Sequence, residues 1–344
     1  MKKIVFFDSK PYDEEFFNQY NKNYQIKYFE PNLNQDTAHL VQGSEGVIAF
    51  VNDVIDAPTI GKLHELGVKI IALRSAGYNN VDVKAAFEKI TIVRVPSYSP
   101  EAVAEHTMAL LLTLNRKIHK AYNRTRDFNF SLNGLMGFVM LGKTIGIIGT
   151  GKIGRAFSKI CRGFGMKVLA YDPYPASDSD LEYVGLEKLF QESDIISLHC
   201  PLTEETKHLI NEESLALMRD GVYLINTSRG GLIDSHALLS ALKTKKVKGA
   251  GLDVYEEETE IFYEDYSEMI INDDTLALLV SLPNVIITSH QAFFTKEAMD
   301  SIARITLDNL DKFFNGEELE NEICYLCKEG EAAIECRKNR KRCF

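Results

Sequence analysis

At 344 residues the chain has room for two domains, each large enough to bury its own core. Its 45% hydrophobic and 26% charged content is that of a globular protein, and a net charge of −10 argues against nucleic acid or an anionic membrane surface as a partner. The apolar run before Asp8, Ile4 to Phe7, is too short for a secretory signal, and no run approaches a membrane span, so a cytoplasmic location is expected.

Through the first hundred residues short apolar runs alternate with helical stretches. The predicted strands are 3–7, 25–29, 46–51, 70–74 and 91–95, with helices such as 13–21 and 59–66 between them. This alternation predicts a parallel sheet with helices on both faces. The half carries no glycine fingerprint, so it is assigned to substrate rather than cofactor. From Pro100 a long helix is predicted over about 101–123, with Ala104, Met108, Leu111 and Leu112 on one face. Residues 127–141 read as a loop.

Residues 143–172 are the stretch on which the second half is organised. A buried-strand run, 144–148, leads into Gly149-Thr150-Gly151-Lys152-Ile153-Gly154, then a helix, then a second strand, 167–171, ending at Asp172. This is one βαβ unit with a dinucleotide-binding fingerprint. Gly149 permits the tight turn, Gly151 lets the backbone approach a pyrophosphate, and Gly154 lets helix and strand pack closely, while the helix N-terminus offers free N–H groups to the pyrophosphate. Asp172 is placed to accept hydrogen bonds from the adenosine ribose. It would repel a 2′-phosphate, and Pro173-Tyr174-Pro175 supplies no arginine, so NAD is expected rather than NADP.

Further strands are predicted at 194–200, 222–226, 248–253 and 285–287, a polar surface loop at 256–274, and a closing helix at 296–315 that returns to the first half. Ligands of open α/β sheets bind beyond the carboxyl ends of the strands, so the polar residues just after each strand are the candidates. These are Asn226-Thr227-Ser228-Arg229, Asp253 with the Glu256–Glu258 run, and His290. Each alone would pass as a surface charge, a solvated acidic run or a satisfied histidine; together at successive strand ends they form a catalytic set. His106, His199 and His208 are weaker candidates.

Here the sequence resembles the D-isomer-specific 2-hydroxyacid dehydrogenase family. The resemblance rests on ALRSAGYNNVD (72–82), VPSYSPEAVAEH (95–106), IGIIGTGKIGRA (145–156), YDPYP (171–175), ISLHCPLT (196–203), NTSRGGLID (226–234), GLDVYEEE (251–258) and SHQAF (289–293). It implies two doubly wound parallel-sheet α/β domains with an interdomain cleft: a flavodoxin-like substrate domain (1–99 and 298–323) and a Rossmann NAD-binding domain (100–297). It also implies reversible hydride transfer between NADH and a small 2-keto acid, with pyruvate and D-lactate the expected pair. Arg229 would bind the carboxylate and carbonyl, for which a planar fork of donors suits better than lysine. His290 would be the general acid and base, and Glu258 would favour its imidazolium form. Backbone amides around Ser75, Ala76 and Gly77 would hold the substrate carboxylate, with Tyr98 and Phe293 lining a small pocket. Cofactor contacts would come from Gly149, Thr150, Gly151, Lys152, Ile153, Gly154, Asp172, His199, Cys200, Pro201, Asn226, Thr227 and Asp253. A homodimer or homotetramer is implied.

Residues 324–344 depart from the family. Cys324, Cys327, Cys336 and Cys343 are spaced C-x2-C-x8-C-x6-C without histidine, with a basic run, 337–342, between the last two. Paired zinc knuckles are absent, so no metal is expected and the tail reads as a weakly docked appendage. The remaining alternatives are a dehydrogenase for another small D-2-hydroxy acid and a corepressor-like NAD-sensing protein.

Overall fold

Short, continuous runs rich in Ile, Val and Leu suit strands buried on both faces, and such strands pair in parallel under helices. The structure, a computed structural model, describes residues 1–177, 180–256, 262–263 and 265–326. It divides into two compact units: Met1–Ser99 with the residues from Thr295 on, and Pro100–Phe294.

In the first unit β1 (Lys2–Phe6), β2 (Tyr24–Tyr28), β3 (Gly46–Ala49), β4 (Ile70–Leu73) and β5 (Thr91–Val93) are parallel, in the order β5-β4-β3-β1-β2. This is the flavodoxin-like order. Alternate strand residues Val5, Val47 and Ile71 join Ile60 and Leu63 of α2 (Ala57–Glu65) in one core layer. On the other face Phe6 meets Phe17 of α1 (Pro11–Tyr20) edge to face at 4.9 Å. The return helix, numbered α11 in chain order (Lys296–Asn315), packs against α1 and β4. Its cap is Thr295, whose hydroxyl accepts from Ala298 N–H. The return to the first unit therefore falls at Thr295, ahead of the expected 298, because the helix brings its capping residue with it. A two-residue strand, β13 (Glu322–Ile323), adds antiparallel to β5 and was not expected from the sequence.

In the second unit seven parallel strands lie in the order β12-β11-β10-β9-β6-β7-β8. They are β6 (Thr144–Ile148), β7 (Lys167–Tyr171), β8 (Glu182–Tyr183), β9 (Ile195–Leu198), β10 (Val222–Asn226), β11 (Val247–Leu252) and β12 (Val285–Ile287). This is the doubly wound dinucleotide-binding order with one strand added, and its switch point lies between β6 and β9. One face is covered by α4 (Pro100–Arg116) and α6 (Lys152–Gly163), through Met108, Leu111, Phe157 and Cys161. The other is covered by apolar side chains that include Leu189, Leu238, Leu242 and Leu276.

The predicted 101–123 helix is in fact two. It breaks at Lys117, which is left-handed (φ 52°, ψ 39°), and α5 (Ile118–Arg126) starts there with no buried residue. The Lys117 ammonium donates to the carbonyls of Gly134 at 2.7 Å and Met136 at 3.2 Å, which offsets the strain of that backbone. The loop reading of 127–141 stands, and polar pins order the loop: the buried Asn115 side chain both donates to Phe138 O and accepts from Phe138 N. Of the predicted 256–274 surface loop, most of the described residues from Asp265 on are exposed, while Phe262 is buried. Cys324 is half-buried, whereas Cys327, Cys336 and Cys343 lie outside the described residues.

Candidate active site

All the strands of the second sheet run parallel, so the segments after β6, β7, β9, β10, β11 and β12 leave the same edge. At the switch point Gly149 takes φ +94°, a conformation that L side chains rarely adopt, with its N–H on Tyr171 O at 2.8 Å. A Cβ on Gly154 would collide with the Gly149 carbonyl, so this glycine is set by close packing. A Cβ on Gly151 would meet only open space, which leaves a smooth backbone surface at the start of α6. These are the features a pyrophosphate needs at a helix N-terminus. Lys152 is exposed and Ile153 half-buried in the first turn. Asp172 accepts Thr150 N–H at 2.7 Å and the Thr150 hydroxyl at 3.0 Å on one oxygen, and Tyr174 N–H at 2.9 Å on the other.

His199 contributes main chain rather than imidazole to this groove. Its backbone lies where a Gly149 side chain would have to go, while its ring packs on Phe157 and meets the Ser197 hydroxyl at 2.9 Å. Burial pushes its pKa down to about 3, so the ring is neutral. Cys200 is buried and its thiol is pushed up to about 11 by that burial; Pro201 is exposed.

The Arg229 loop is shaped by Asn226, which is fully buried. Its amide donates to Arg229 O at 2.9 Å and its side-chain oxygen accepts Ser228 N–H at 3.0 Å. Thr227 is held by a 2.8 Å hydroxyl contact with Thr107 of α4. Gly230 admits no side chain, because a Cβ there would strike the Tyr255 carbonyl. Arg229 itself is half-buried, with Nη1 on Ser228 O at 2.7 Å.

Backbone hydrogen bonds then join the strand ends in series: Asp253 N–H to Asn226 O at 2.9 Å, and His290 N–H to Asp253 O at 2.7 Å. The Asp253 carboxylate is fully buried and accepts the Thr288 hydroxyl at 2.5 Å, Gln291 N–H at 3.0 Å and Ala292 N–H at 2.8 Å. His106 Nε2 from α4 stands 3.3 Å from the same carboxylate and 3.2 Å from the Thr288 hydroxyl. Burial by itself would raise the Asp253 pKa; the His106 and Thr288 hydrogen bonds, with Ala292 N–H, outweigh it and hold the group below the usual carboxylate value. His290 sits in the turn this carboxylate anchors, left-handed at φ 52° and half-buried. Tyr263 stacks on it at 6.1 Å and donates to its carbonyl at 3.0 Å. Phe293 is buried against Phe294, centroids 6.0 Å apart.

Of the three glutamates, Glu256 is engaged by His208 at 2.5 Å and by the Ser235 hydroxyl at 3.3 Å. Glu257 and Glu258 lie outside the described residues. In the first unit the carbonyls of the 75–77 turn are taken: Ser75 O by Val95 N–H, Ala76 O by Arg94 Nη1, Gly77 O by the Ser75 hydroxyl. The N–H groups of Ser75, Ala76 and Gly77 find no acceptor among the described residues. Tyr98 is half-buried. Sequence reasoning missed Thr288 and Tyr263 and undervalued His106. Thr288 follows β12 directly, so the strand-end rule could have found it; Tyr263 lies in a stretch that read as polar loop.

A doubly wound sheet with its fingerprint glycine turn at the switch point, and an arginine and a histidine beyond the ends of β10 and β12 on the same sheet edge, defines a dinucleotide-dependent oxidoreductase. Comparison with known proteins gives the family. A profile for the NAD-binding domain of D-isomer specific 2-hydroxyacid dehydrogenases matches residues 108–292. The chain belongs to this family; it is a dehydrogenase that uses NAD, and its substrate class is the 2-hydroxy and 2-keto acids. A protein of Escherichia coli (strain K12) named D-lactate dehydrogenase is 50% identical over 327 residues, 93% of this chain and 99% of the relative. Among solved structures, the pyruvate reductase of Chlamydomonas reinhardtii is similar at a TM-score of 0.88 and 41% identity, covering 93% of this chain and 98% of that one. The D-lactate dehydrogenase of Aquifex aeolicus, solved with NAD and lactic acid, is similar at 0.81 and 34%, covering 91% and 96%.

The Asp253 network generates a pH test. The folded pKa lies below the unfolded value of about 3.9, so its stabilisation is present above that value and lost as pH falls through the folded one. Asp253→Asn is expected to unfold about 1–3 kcal/mol more easily than the parent at pH 7, with the gap closing below about pH 4. Urea titrations at pH 7 and pH 3 measure it; an equal gap at both would remove the charge from the explanation.

Proposed function

We propose that the chain is an NAD-dependent D-lactate dehydrogenase, reducing pyruvate and oxidising D-lactate. The observation that carries the reading is the series Asn226–Asp253–His290, which links the arginine loop after β10, through the end of β11, to the histidine turn after β12. The similarity to proteins named D-lactate dehydrogenase supports the choice of substrate. NADH, when bound, supplies the hydride that C2 of the keto acid receives.

Arg229 holds the carboxylate and the C2 carbonyl oxygen in one plane, and its charge stabilises the oxygen as negative charge develops. His290 gives that oxygen a proton as the hydride arrives, and in reverse takes the proton from the hydroxyl. Glu258 is the carboxylate the reading pairs with His290, and Asp253 keeps the turn beneath the imidazole in place. Gly149 to Gly154, Asp172, Cys200, Pro201, Asn226 and Thr227 hold the dinucleotide. In the first unit the reading assigns the substrate carboxylate to the N–H groups of Ser75, Ala76 and Gly77 and a substrate contact to Tyr98; in the second it assigns a substrate contact to Phe293. A cytoplasmic location belongs to the same reading; no described helix is long and apolar enough to cross a membrane.

A second copy of the chain is the partner we propose for residues 118–141. Ile118, Tyr122, Phe128, Phe130, Leu132, Met136, Val139 and Leu141 are all between 59% and 88% exposed. Together they present apolar surface on the order of 1,000 Å², more than a monomer ordinarily leaves in water and about one side of a standard interface. The polar pins from Asn115, Lys117 and Arg124 order the loop without covering these side chains.

Steady-state NADH oxidation with pyruvate, 2-ketobutyrate and phenylpyruvate tests the substrate. Pyruvate is expected to lead; preference for phenylpyruvate overturns the choice, and oxidation with none of the three overturns the reading. His290→Gln is expected to bind NADH normally and lose about 10²–10⁴ in turnover; a fully active variant would sink the proton role. Sedimentation equilibrium tests the second copy: the parent is expected to be oligomeric, and a triple Phe128→Ser, Phe130→Ser, Leu132→Ser variant to dissociate. A monomeric parent, or an oligomer that survives the three changes, is the contrary result.

A further inference from the structure

Tyr183 occupies the end of the edge strand β8, paired with Ala170 of β7, where neither composition nor motif marks it. Its hydroxyl lies 3.0 Å from Thr150 Oγ1, inside the fingerprint turn. Thr150 is 4% exposed and directs both its N–H and its hydroxyl at the same Asp172 oxygen, at 2.7 and 3.0 Å. The direction of the chain follows from donor counting. An ionised carboxylate only accepts, so the Thr150 hydroxyl proton is committed to Asp172, and its oxygen is left to accept from Tyr183. Tyr183 is therefore the first donor in the series Tyr183 OH to Thr150 Oγ1 to Asp172 Oδ2.

The series has a consequence for the other carboxylate oxygen. Oδ2 takes two donors, which fills it, while Oδ1 takes only Tyr174 N–H. One acceptor position on Oδ1 stays open, on a carboxylate that cannot rotate without breaking the series. A neutral ribose hydroxyl can use that position; the 2′-phosphate of NADP brings negative charge against a carboxylate.

We propose that Tyr183 is a specificity-determining positioning residue: through Thr150 it locks Asp172 in the orientation that accepts the adenosine ribose and excludes the 2′-phosphate. The proposal rests on the assignment of Asp172 to the ribose. Tyr183 touches neither substrate nor the hydride path, so its effect falls on cofactor binding and not on the chemical step.

Nicotinamide fluorescence titrations with NADH and NADPH, without keto acid, test this on the parent, Tyr183→Phe, Thr150→Val, the double variant and Asp172→Asn. Losing one neutral hydrogen bond corresponds to roughly a fivefold effect on binding. Tyr183→Phe is expected to weaken NADH about fivefold and NADPH less, narrowing the preference, with kcat at saturating NADH unchanged. The double variant is expected to bind NADH no more weakly than Thr150→Val alone, since the two groups act in series. Thr150→Ser, which keeps the hydroxyl, is expected to retain the preference. If Tyr183→Phe leaves both affinities at parental values, or weakens both equally, the proposal fails while Asp172 keeps its role. If Asp172→Asn leaves the preference intact, the assignment of Asp172 fails and the proposal with it.

Discussion

A carboxylate buried at the end of a β-strand must be given donors or lose its charge, and Asp253 draws its donors from separate parts of the chain. Thr288, Gln291 and Ala292 reach it from the segment after β12, and His106 from α4. Satisfying one side chain thereby fixes the course of a five-residue turn, and His290 lies in that turn. Its left-handed backbone is a local cost of order 1 kcal/mol, tolerable because the neighbouring N–H groups are already engaged. The position of the His290 turn follows from the requirement to keep a neighbouring carboxylate ionised.

The same logic, a polar group solving a local problem and placing a functional one, recurs along the sheet edge. Asn226 uses both ends of its amide to close the loop that carries Arg229. Gly230 is needed because Tyr255 passes too close for any side chain. Gly149 is needed for its φ and Gly154 for the carbonyl it faces. The edge is thus a series of turns, each with one residue type that fits.

Much of this was legible in the sequence, because it depends on period and punctuation. The core strands are short continuous apolar runs, and β6, β7 and β11 stop at Gly149, Asp172 and Asp253, so their existence was plain and their limits moved by only a residue or two. The fingerprint and the family segments gave the second sheet and the candidate residues after each strand. What stayed hidden depends on contacts between distant residues. Nothing local to Lys117 says that its ammonium will hold a break in the helix by reaching Gly134 and Met136. β8 and β13 are two residues each, too short to carry a period. His106 faces the sheet from within an ordinary amphipathic helix, and only the position of Asp253 gives it a task. Phe262 and Tyr263 sat in a stretch whose acidic composition outweighed two aromatics. Glu258 rests on the family pattern, since it falls outside the described residues.

The first sheet has a feature that bears on how the chain is made. Its strands come from the first hundred residues, yet its edge is closed by Glu322–Ile323, and one face is covered by α11. During synthesis from the amino end, the first unit waits with an open edge strand and an uncovered apolar face while the whole of Pro100–Phe294 emerges. The inserted unit is the first whose sequence is complete on the ribosome, and the first unit is finished by nearly the last stretch of chain described.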